Sequence, residues 1–289
     1  MANPFLSLAA AAARLLPGSV KKVLYRHPKL AHLIRQGLNR AAPQGLTRIN
    51  VAAGRLSGMS LFLDLQSEKD YWLGTYEVEL QEAVEELVRP GMVAYDVGAN
   101  IGYISLLLAR KVGKEGKVFA FEALPSNVER LYSNLELNGL DSRVRVFAGA
   151  VTNSSESVHF LVGPSNGMGK AAGSAGRQEI TYTQSITVPG IALDHFVYEK
   201  GNPVPQVVKM DIEGGEVLAL PGMRRILTEE HPLLLLELHG TEAARAAWNV
   251  LSDCGYQICR METGFPGVPS MDALDWKAYL VALPIQSNA

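Results

Sequence analysis

The chain has 289 residues, 47% of them hydrophobic and 19% charged, and a formal net charge of −2 at pH 7. The apolar content is ample for a packed core, and no run reaches the roughly 18 apolar residues of a membrane-spanning helix. The two cysteines, Cys254 and Cys259, form neither a CxxC nor a zinc-binding pattern, which favours a reduced cytoplasmic protein.

Positive charge is concentrated at the N-terminus. Asp64 is the first acidic residue, and residues 1–63 contain nine lysines and arginines. Residues 5–40 are predicted to be helical, with a break at Pro17-Gly18. Such a basic segment can be a solvated cap, or it can contact an anionic membrane surface through residues 1–45, as in a peripheral membrane protein. Nucleic acid is disfavoured because few aromatic residues interleave with the cations.

Two domains are predicted from the pattern along the chain. Residues 47–65 alternate loosely between apolar and polar and predict a small hairpin around Gly54 or Gly58. Residues 1–65 are therefore interpreted as a basic helical extension with a small hairpin, and residues 66–289 as the main domain.

From Met92 onward, short apolar strands alternate with helices. Strands are predicted at 92–97, 117–122, 143–149, 206–211, 232–238, 256–261 and 277–283. Helices are predicted at 101–111, 125–138, 216–227 and 241–254. This alternation indicates an α/β fold with a doubly wound, mainly parallel seven-stranded sheet of the Rossmann-like type.

A glycine turn follows the first of these strands, which ends near Asp96. Gly98 and Gly102 lack a Cβ, so the backbone can adopt φ > 0 and a ligand can approach closely. Free N–H groups at the start of the next helix face the same place. Glu122 ends the following strand, where a carboxylate can accept both hydroxyls of a ribose. Together these features predict a nucleoside site at the carboxyl ends of parallel strands.

The loop sequence discriminates between nucleosides. A dinucleotide site needs G-x-G-x-x-G, but Asn100 stands where the second glycine should be, so NAD fits poorly. S-adenosylmethionine (SAM) needs an acid near its methionine end, a glycine turn and an acid for its ribose, which Asp96, Gly98 and Glu122 supply. SAM is therefore the predicted cofactor, with Asn100 and Gly102 in the same loop. The alternative is an ordinary βαβ unit whose glycines serve packing.

A glycine-rich segment, residues 163–176, interrupts the alternation. It has five glycines in 14 residues and lies between predicted strands at 156–162 and 179–188. A loop this long in a compact domain is usually functional or disordered. The sequence leaves open whether it is a mobile lid over the substrate or a passive hairpin tip.

A second motif, Lys209 to Glu216, follows another buried strand. It places Lys209, Asp211 and Glu213 at the same edge of the sheet, and His239 ends the next strand there. Methyl transfer from SAM needs alignment of the reactants and removal of a proton from the acceptor, for which His239 is one candidate base and Asp211 or Glu213 the other.

Structural roles are the alternative for the same residues. His239 can be a strand-end histidine, Glu213 and Glu216 can cap a helix, and Lys209 can pair with Asp211 or Glu213. A divalent ion between Asp211, Glu237 and His239 is a further option. Because no local ligand spacing supports it, no metal is predicted.

The motifs resemble those of the FkbM-type SAM-dependent methyltransferases over roughly residues 70–240. The resemblance is carried by Tyr76-Glu77, Asp96 to Gly102, Phe121-Glu122 with Asn134 and Asn138-Gly139-Leu140, Lys209 to Glu216, and Leu233 to His239. It implies methyl transfer, mostly to a hydroxyl on a sugar, polyketide or other secondary metabolite. It also implies that Glu77 reaches the methionine end of SAM.

The predicted function is a SAM-dependent methyltransferase that acts on a hydroxyl of a small-molecule acceptor, which can be lipid-linked. The predicted catalytic residues are His239, Asp211, Glu213 and Lys209. The predicted cofactor-binding residues are Glu77, Asp96, Gly98, Asn100, Gly102, Glu122 and Asp211. An N-methyltransferase for a small amine, and a non-catalytic SAM-binding module at a membrane or partner, are the alternatives. The oligomeric state stays open, with a homodimer as one option.

Overall fold

The computed structural model describes residues 4–15, 28–164, 167–177, 179–182 and 184–285. The chain divides into two compact units, Met1–Val78 and Glu79–Ala289. Each unit has its own secondary structure and is described separately.

The first unit contains helices and a two-stranded hairpin. Its elements are α1 (Pro4–Leu15), α2 (Pro28–Ala41), β1 (Leu46–Asn50), β2 (Ser60–Asp64) and α3 (Lys69–Leu73). Strands β1 and β2 pair antiparallel, so the predicted hairpin is confirmed. The guanidinium of Arg14 donates to the carbonyl of Ala52 at 2.7 Å, which ties α1 to the loop of the hairpin.

The contact of residues 1–45 with an anionic membrane surface stays a prediction. The predicted break at Pro17-Gly18 lies outside the described residues. Within the described parts of the chain, no helix is long and apolar enough to cross a membrane.

The second unit is built on a seven-stranded sheet. Its strands are β3 (Val93–Val97), β4 (Lys117–Glu122), β5 (Val144–Ala148), β10 (Val207–Met210), β11 (Leu233–His239), β12 (Tyr256–Arg260) and β13 (Lys277–Pro284). The order across the sheet is β12-β13-β11-β10-β3-β4-β5. Only β13 runs antiparallel to its neighbours. The predicted doubly wound, mainly parallel seven-stranded sheet is confirmed.

Helices connect these strands, as the alternation predicted. They are α5 (Tyr103–Val112), α6 (Pro125–Leu137), α7 (Glu216–Ala219) and α8 (Thr241–Asp253). A further helix, α4 (Val78–Leu87), begins at the boundary between the units and precedes β3. The helix predicted at 216–227 is wrong as one α-helix, because α7 passes into a 3₁₀ turn at Leu220–Met223 and a π-helix at Ile226–Glu230. Pro221 cannot donate a backbone hydrogen bond, which ends the α-helical ladder there.

A smaller sheet interrupts the main one. It contains β6 (Ala150–Val151), β7 (Ser157–Val162), β8 (Lys170–Ala171) and β9 (Gln184–Ile191), in the order β6-β9-β7-β8. The glycine-rich segment connects β7 to β9 and carries the short strand β8.

The core positions the carboxyl ends of the central strands. Tyr95, Phe119, Phe121, Phe147 and Phe196 form a cluster with ring centroids 4.7–6.2 Å apart. Burial of each such ring stabilises the fold by roughly 1.5–3 kcal/mol. Because four of the rings come from β3, β4 and β5, they fix the strands that carry Asp96 and Glu122.

Candidate active site

Four parallel strands bring the predicted site residues to one edge of the sheet. Strands β4, β3, β10 and β11 are neighbours in this order, and each pair is parallel. Glu122 ends β4, Asp96 lies near the end of β3, Asp211 follows β10 and His239 ends β11. In open α/β sheets this edge is where ligands bind.

The turn after β3 is held by the neighbouring strand. The backbone N–H groups of Gly98 and Ala99 both donate to the carbonyl of Phe121, at 3.0 and 2.9 Å. Gly98, Asn100 and Gly102 have φ values of 77°, 48° and 89°, and asparagine tolerates this left-handed region better than most residues.

The two glycines of this turn also serve packing within the chain. A Cβ on Gly98 would lie 1.9 Å from the carbonyl oxygen of Asp211, and one on Gly102 would lie 2.4 Å from a methyl group of Leu131. The packing alternative for these glycines is therefore observed, and their contact with SAM stays a prediction.

Asp96 is fully buried and paired inside the protein. The hydroxyl of Ser105 donates to its Oδ2 at 2.6 Å, and the ammonium of Lys209 lies 3.5 Å from its Oδ1. Burial raises the pKa of Asp96 above its usual range, and Lys209 and Ser105 oppose that rise. Lys209 also donates to the carbonyl of Gly98 at 3.0 Å. It forms an ion pair with Asp96, and its charge also acts on Asp211.

Glu122 organises the turn from the end of β4. Its two carboxylate oxygens accept the backbone N–H groups of Asn100 and Leu124, both at 2.8 Å, and the amide of Asn127 at 3.4 Å. Burial raises the pKa of Glu122, and the two backbone hydrogen bonds oppose the rise. Asn134, fully buried on α6, donates to the carbonyl of Ile101 at 2.8 Å and so fixes the far end of the same turn.

The residues fit a SAM cradle. Each oxygen of a carboxylate has two lone pairs, so Glu122 keeps acceptor capacity for ribose hydroxyls after binding the two backbone N–H groups. Beside it, the side-chain oxygen of Asn100 is buried and accepts no hydrogen bond from the described residues.

A cluster of four ionisable side chains surrounds the end of β11, with His239 buried at its centre. The Nε2 of His239 lies 3.1 Å from Asp211 Oδ1 and 3.0 Å from Glu237 Oε1, and its Nδ1 lies 3.7 Å from Glu213 Oε2. The second motif and the end of β11 are thus brought together as predicted. Glu237, which the sequence suggested only as a metal ligand, belongs to the same cluster.

The surroundings of His239 favour its charged form. Burial lowers the pKa of this imidazole, but the hydrogen bonds with Asp211 and Glu237 outweigh it and raise the pKa to about 10. The pKa of Asp211 is lowered, because the hydrogen bond with His239 and the charge of Lys209 outweigh the effect of its burial. Nε2 faces two acceptors and therefore carries a hydrogen, so it cannot take a proton from an acceptor molecule.

Glu216 lies behind this cluster at the start of α7. It is fully buried, and its Oε1 accepts the backbone N–H of Ile212 at 3.0 Å. Burial raises the pKa of Glu216 to about 8, and the hydrogen bond from Ile212 opposes the rise. Glu216 is therefore mainly protonated at neutral pH, and it closes the turn after Asp211. The capping alternative is not observed for it, because no side-chain hydrogen bond caps α7 within the described residues.

Glu216→Gln should change how stability depends on pH. The folded-state pKa lies above the ordinary value of 4.5, so the contribution of Glu216 is fully present below about pH 4.5 and is lost as the pH rises through about 8. The loss approaches about 1.4 kcal/mol per pH unit in this window. Relative to wild type, Glu216→Gln should gain stability from pH 5 to 8 and no further above it.

Urea unfolding at half-unit pH intervals, in buffer with EDTA, measures this difference. The exposed Glu115→Gln is the matched control and should follow the wild-type curve. A Glu216→Gln curve parallel to wild type over pH 5 to 8 would contradict the buried, protonated state.

The glycine-rich segment packs against both motifs. Gly167 lies beside the side chain of Asn100, with a Cβ position 3.7 Å from its Nδ2. The N–H of Ala175 donates to the carbonyl of Gly214 at 3.0 Å. Buried Lys170 donates to the carbonyls of Ala175 and Arg177 at 3.0 and 3.1 Å. The segment therefore contacts the site, whereas whether it moves as a lid stays a prediction.

Sequence reasoning missed two residues of the site, Trp276 in the turn before β13 and Lys277 at the start of β13. Lys277 pairs with Glu237, and the Trp276 ring lies edge-on to His239 with ring centroids 6.1 Å apart. They reach the site because β13 inserts between β11 and β12, with Lys277 opposite His239 in register. No local pattern in the sequence predicts this insertion.

Glu77 belongs to the first unit, directly before α4. Its φ is 42°, a left-handed conformation that is uncommon for residues other than glycine. Its contact with the methionine end of SAM stays a prediction.

Comparison with known proteins identifies the fold and chemistry. Residues 96–258 match the model of the methyltransferase FkbM domain, which is more than half of the chain. The chain belongs to this family. It is therefore a SAM-dependent methyltransferase, and the predicted family, activity class and cofactor are confirmed.

Individual relatives show the range of similar proteins. The hexuronic acid methyltransferase AglP of Haloferax volcanii is 28% identical over 190 residues, which cover 66% of this chain and 70% of AglP. The crystal structure of methyltransferase FkbM from Methylobacillus flagellatus KT is 20% identical, with a TM-score of 0.43. That alignment covers 76% of this chain and 53% of the other, so this chain spans about half of that protein.

A second similar structure is fibrillarin of Aeropyrum pernix, which was determined with natively bound SAM. It is 10% identical with a TM-score of 0.42, and the alignment covers 71% of each chain.

Proposed function

We propose that this methyltransferase transfers a methyl group to an oxygen atom of a small-molecule acceptor, with a sugar acid as the favoured class. The observation that supports the proposal is a direct contact between two parts of the site. One is the turn after β3, which contains Gly98 and is held by Glu122, and the other is the cluster around Asp211 and His239. Lys209 at the end of β10 donates to the carbonyl of Gly98, and Gly98 packs against the carbonyl of Asp211. A methyl donor held by the turn would therefore lie next to carboxylates that can accept a proton.

The acceptor class is supported by two features. The relative AglP is a hexuronic acid methyltransferase, and Arg177 lies at the site, with its guanidinium 5.8 Å from the centroid of the Trp276 ring. Arginine binds carboxylates through a planar pair of donors. A sugar acid would thus place its carboxylate at Arg177 and a neighbouring oxygen at the cluster.

The residues of the chain bind and orient the reactants. Glu122 would accept the ribose hydroxyls of SAM, and Asn100 would offer the side-chain oxygen that accepts no hydrogen bond within the described residues. When bound, SAM supplies an electrophilic methyl group, whose bond to sulfur breaks as the bond to the acceptor oxygen forms, leaving S-adenosylhomocysteine. The acceptor loses its proton, if it has one, to a carboxylate of Asp211 or Glu213, since Nε2 of His239 already carries a hydrogen. Holding the oxygen in line with the methyl group accounts for most of the acceleration.

Glu122→Gln should weaken SAM binding about 10- to 100-fold. Both oxygens of Glu122 accept backbone N–H groups, so an amide NH₂ at this position faces one of those donors and offers fewer acceptors to the ribose. Loss of a charge-assisted hydrogen bond costs about 1.5–3 kcal/mol, and each 1.4 kcal/mol is tenfold in affinity. Calorimetric titration with SAM and S-adenosylhomocysteine measures the change.

The exposed Glu136→Gln on α6 is the matched control and should bind as wild type does. NAD should not bind to any of the three proteins. Unchanged SAM affinity in Glu122→Gln would place the SAM site elsewhere. Binding of NAD alone would contradict SAM as the ligand of this site.

Product analysis tests the acceptor. Wild-type protein with methyl-labelled SAM should label glucuronic or galacturonic acid glycosides, and the corresponding neutral hexosides should be labelled at least tenfold more slowly. Mild alkali releases label from a methyl ester but not from a methyl ether, so it shows which oxygen is methylated.

Two results would count against the proposal. Label that resists alkali and is found on amine acceptors alone would favour the N-methyltransferase alternative. SAM binding without product on any acid or neutral glycoside would favour a SAM-binding module.

A further inference from the structure

The buried cluster at the end of β11 contains a set of ligands for a metal ion. Asp211, Glu237 and His239 each offer one atom, and the three atoms lie within 4.8 Å of one another. His239 is 1% exposed and Glu237 6% exposed, so the set differs from the exposed acidic groups that are common on protein surfaces. The three residues come from the ends of β10 and β11, which are neighbouring elements of a rigid sheet.

The spacing of these atoms suits a cation. Nε2 of His239 lies 3.1 Å from Asp211 Oδ1 and 3.0 Å from Glu237 Oε1. Adjacent ligands at right angles around an ion, with bonds of about 2.1 Å, are about 3.0 Å apart. Small side-chain rotations would bring the two carboxylates, which are farther apart, to the same ion.

Two buried atoms of the cluster accept or donate no hydrogen bond within the described residues. They are Oε2 of Glu237 and Nδ1 of His239. Oε1 of Glu237 faces both His239 Nε2 and Lys277, and Oε2 gives the same carboxylate a second oxygen that can bind the ion after a small rotation. Glu213 Oε2 lies 3.7 Å from Nδ1 of His239, which is the side of the ring where a metal-bound histidine usually meets a carboxylate.

We propose that Asp211, Glu237 and His239 bind one divalent cation, which replaces the hydrogen that Nε2 of His239 carries in the metal-free protein. One imidazole nitrogen with two carboxylate oxygens suits Mn²⁺ or another first-row divalent ion better than Mg²⁺, which prefers oxygen ligands. Binding of the cation is independent of the proposed function. Its role, which rests on that function, is to hold the acceptor oxygen and to lower the pKa of an acceptor hydroxyl.

Electron paramagnetic resonance of EDTA-treated, full-length protein titrated with MnCl₂ tests the site. Wild type should bind one Mn²⁺ per chain, and its pulsed spectrum should show coupling to an imidazole nitrogen. His239→Gln should lose that coupling, and His239→Gln, Glu237→Gln and Asp211→Asn should each weaken Mn²⁺ binding at least tenfold. Circular dichroism of the three variants checks that they fold.

A histidine elsewhere in the same unit supplies the matched control. His195 is partly exposed and pairs with Glu199 at 3.0 Å, so His195→Gln should bind Mn²⁺ as wild type does. Absence of binding in wild type, or Mn²⁺ binding that is equal in wild type and His239→Gln, would overturn the proposal. SAM titration of the same samples separates the metal site from the proposed function. Wild type that binds SAM but no Mn²⁺ would contradict the metal site and leave the proposed function standing.

Discussion

Gly98→Ala should destabilise the second unit by more than about 4 kcal/mol, or prevent its folding. The new Cβ would lie 1.9 Å from the carbonyl oxygen of Asp211, so the turns after β3 and β10 would have to separate. The φ of 77° adds strain of roughly 1–2 kcal/mol for a residue with a Cβ. Losses above about 4 kcal/mol are exceptional for one substitution and follow from such backbone conflicts.

Gly255→Ala is the control that separates the steric clash of a new Cβ from the backbone strain of a positive φ. Gly255 has the same φ of 77°, but a Cβ there would meet nothing within 4 Å. Its substitution should cost only the strain, about 1–2 kcal/mol. Thermal unfolding should show midpoints lowered by roughly 2–8 °C for Gly255→Ala and by more than about 8 °C for Gly98→Ala. Equal shifts would mean that Gly98 is required by its φ alone.

The central sheet could be predicted because its signal is local. Strands β3, β4 and β10 are short apolar runs that end at or beside an acidic residue, which is Asp96, Glu122 or Asp211. The turn chemistry is equally local, since Gly98 and Gly102 do adopt the positive φ that their residue type allows. These features determine which residues share an edge once the strands are parallel.

The composition of the site could be predicted only in part, because some of it depends on which strands are neighbours. Lys277 reaches Glu237 because β13 lies between β11 and β12, a placement that periodicity does not encode. The partner of Lys209 was open for a related reason. Asp96 is far away in sequence, and β3 pairs with β10 in a register that places it directly opposite Lys209.

The sequence also could not show whether His239 accepts or donates a proton. His239 was one of two candidate bases, because an isolated imidazole suits neutral pH. Its position between Asp211 and Glu237 makes Nε2 a donor. The chemistry therefore depends on a second carboxylate, Glu237, whose own strand position did not distinguish it from a core residue.

Lys209→Met should destabilise the second unit by about 3–5 kcal/mol. Lys209 and Asp96 are 4% and 0% exposed, with 3.5 Å between the ammonium and Oδ1. Removal of the lysine leaves a buried carboxylate whose remaining hydrogen-bond donor among the described residues is the hydroxyl of Ser105, and breaking a buried pair in this way usually costs that much. Urea unfolding measures the loss. The more exposed pair of Lys111 and Glu85 supplies the control, since Lys111→Met should cost less than about 1 kcal/mol.

The double variant Asp96→Asn/Lys209→Met distinguishes a pairing role from a chemical one. The amide introduced by Asp96→Asn would still accept the hydroxyl of Ser105 and carries no charge, so most of the lost stability should return, with a coupling energy of about 1–3 kcal/mol. If Lys209 serves only to neutralise Asp96, the double variant should regain kcat together with its fold. A variant that folds as stably as wild type but stays inactive would instead make Lys209 or Asp96 part of the chemistry. Additive losses would contradict the pair itself, because two independent sites show no coupling.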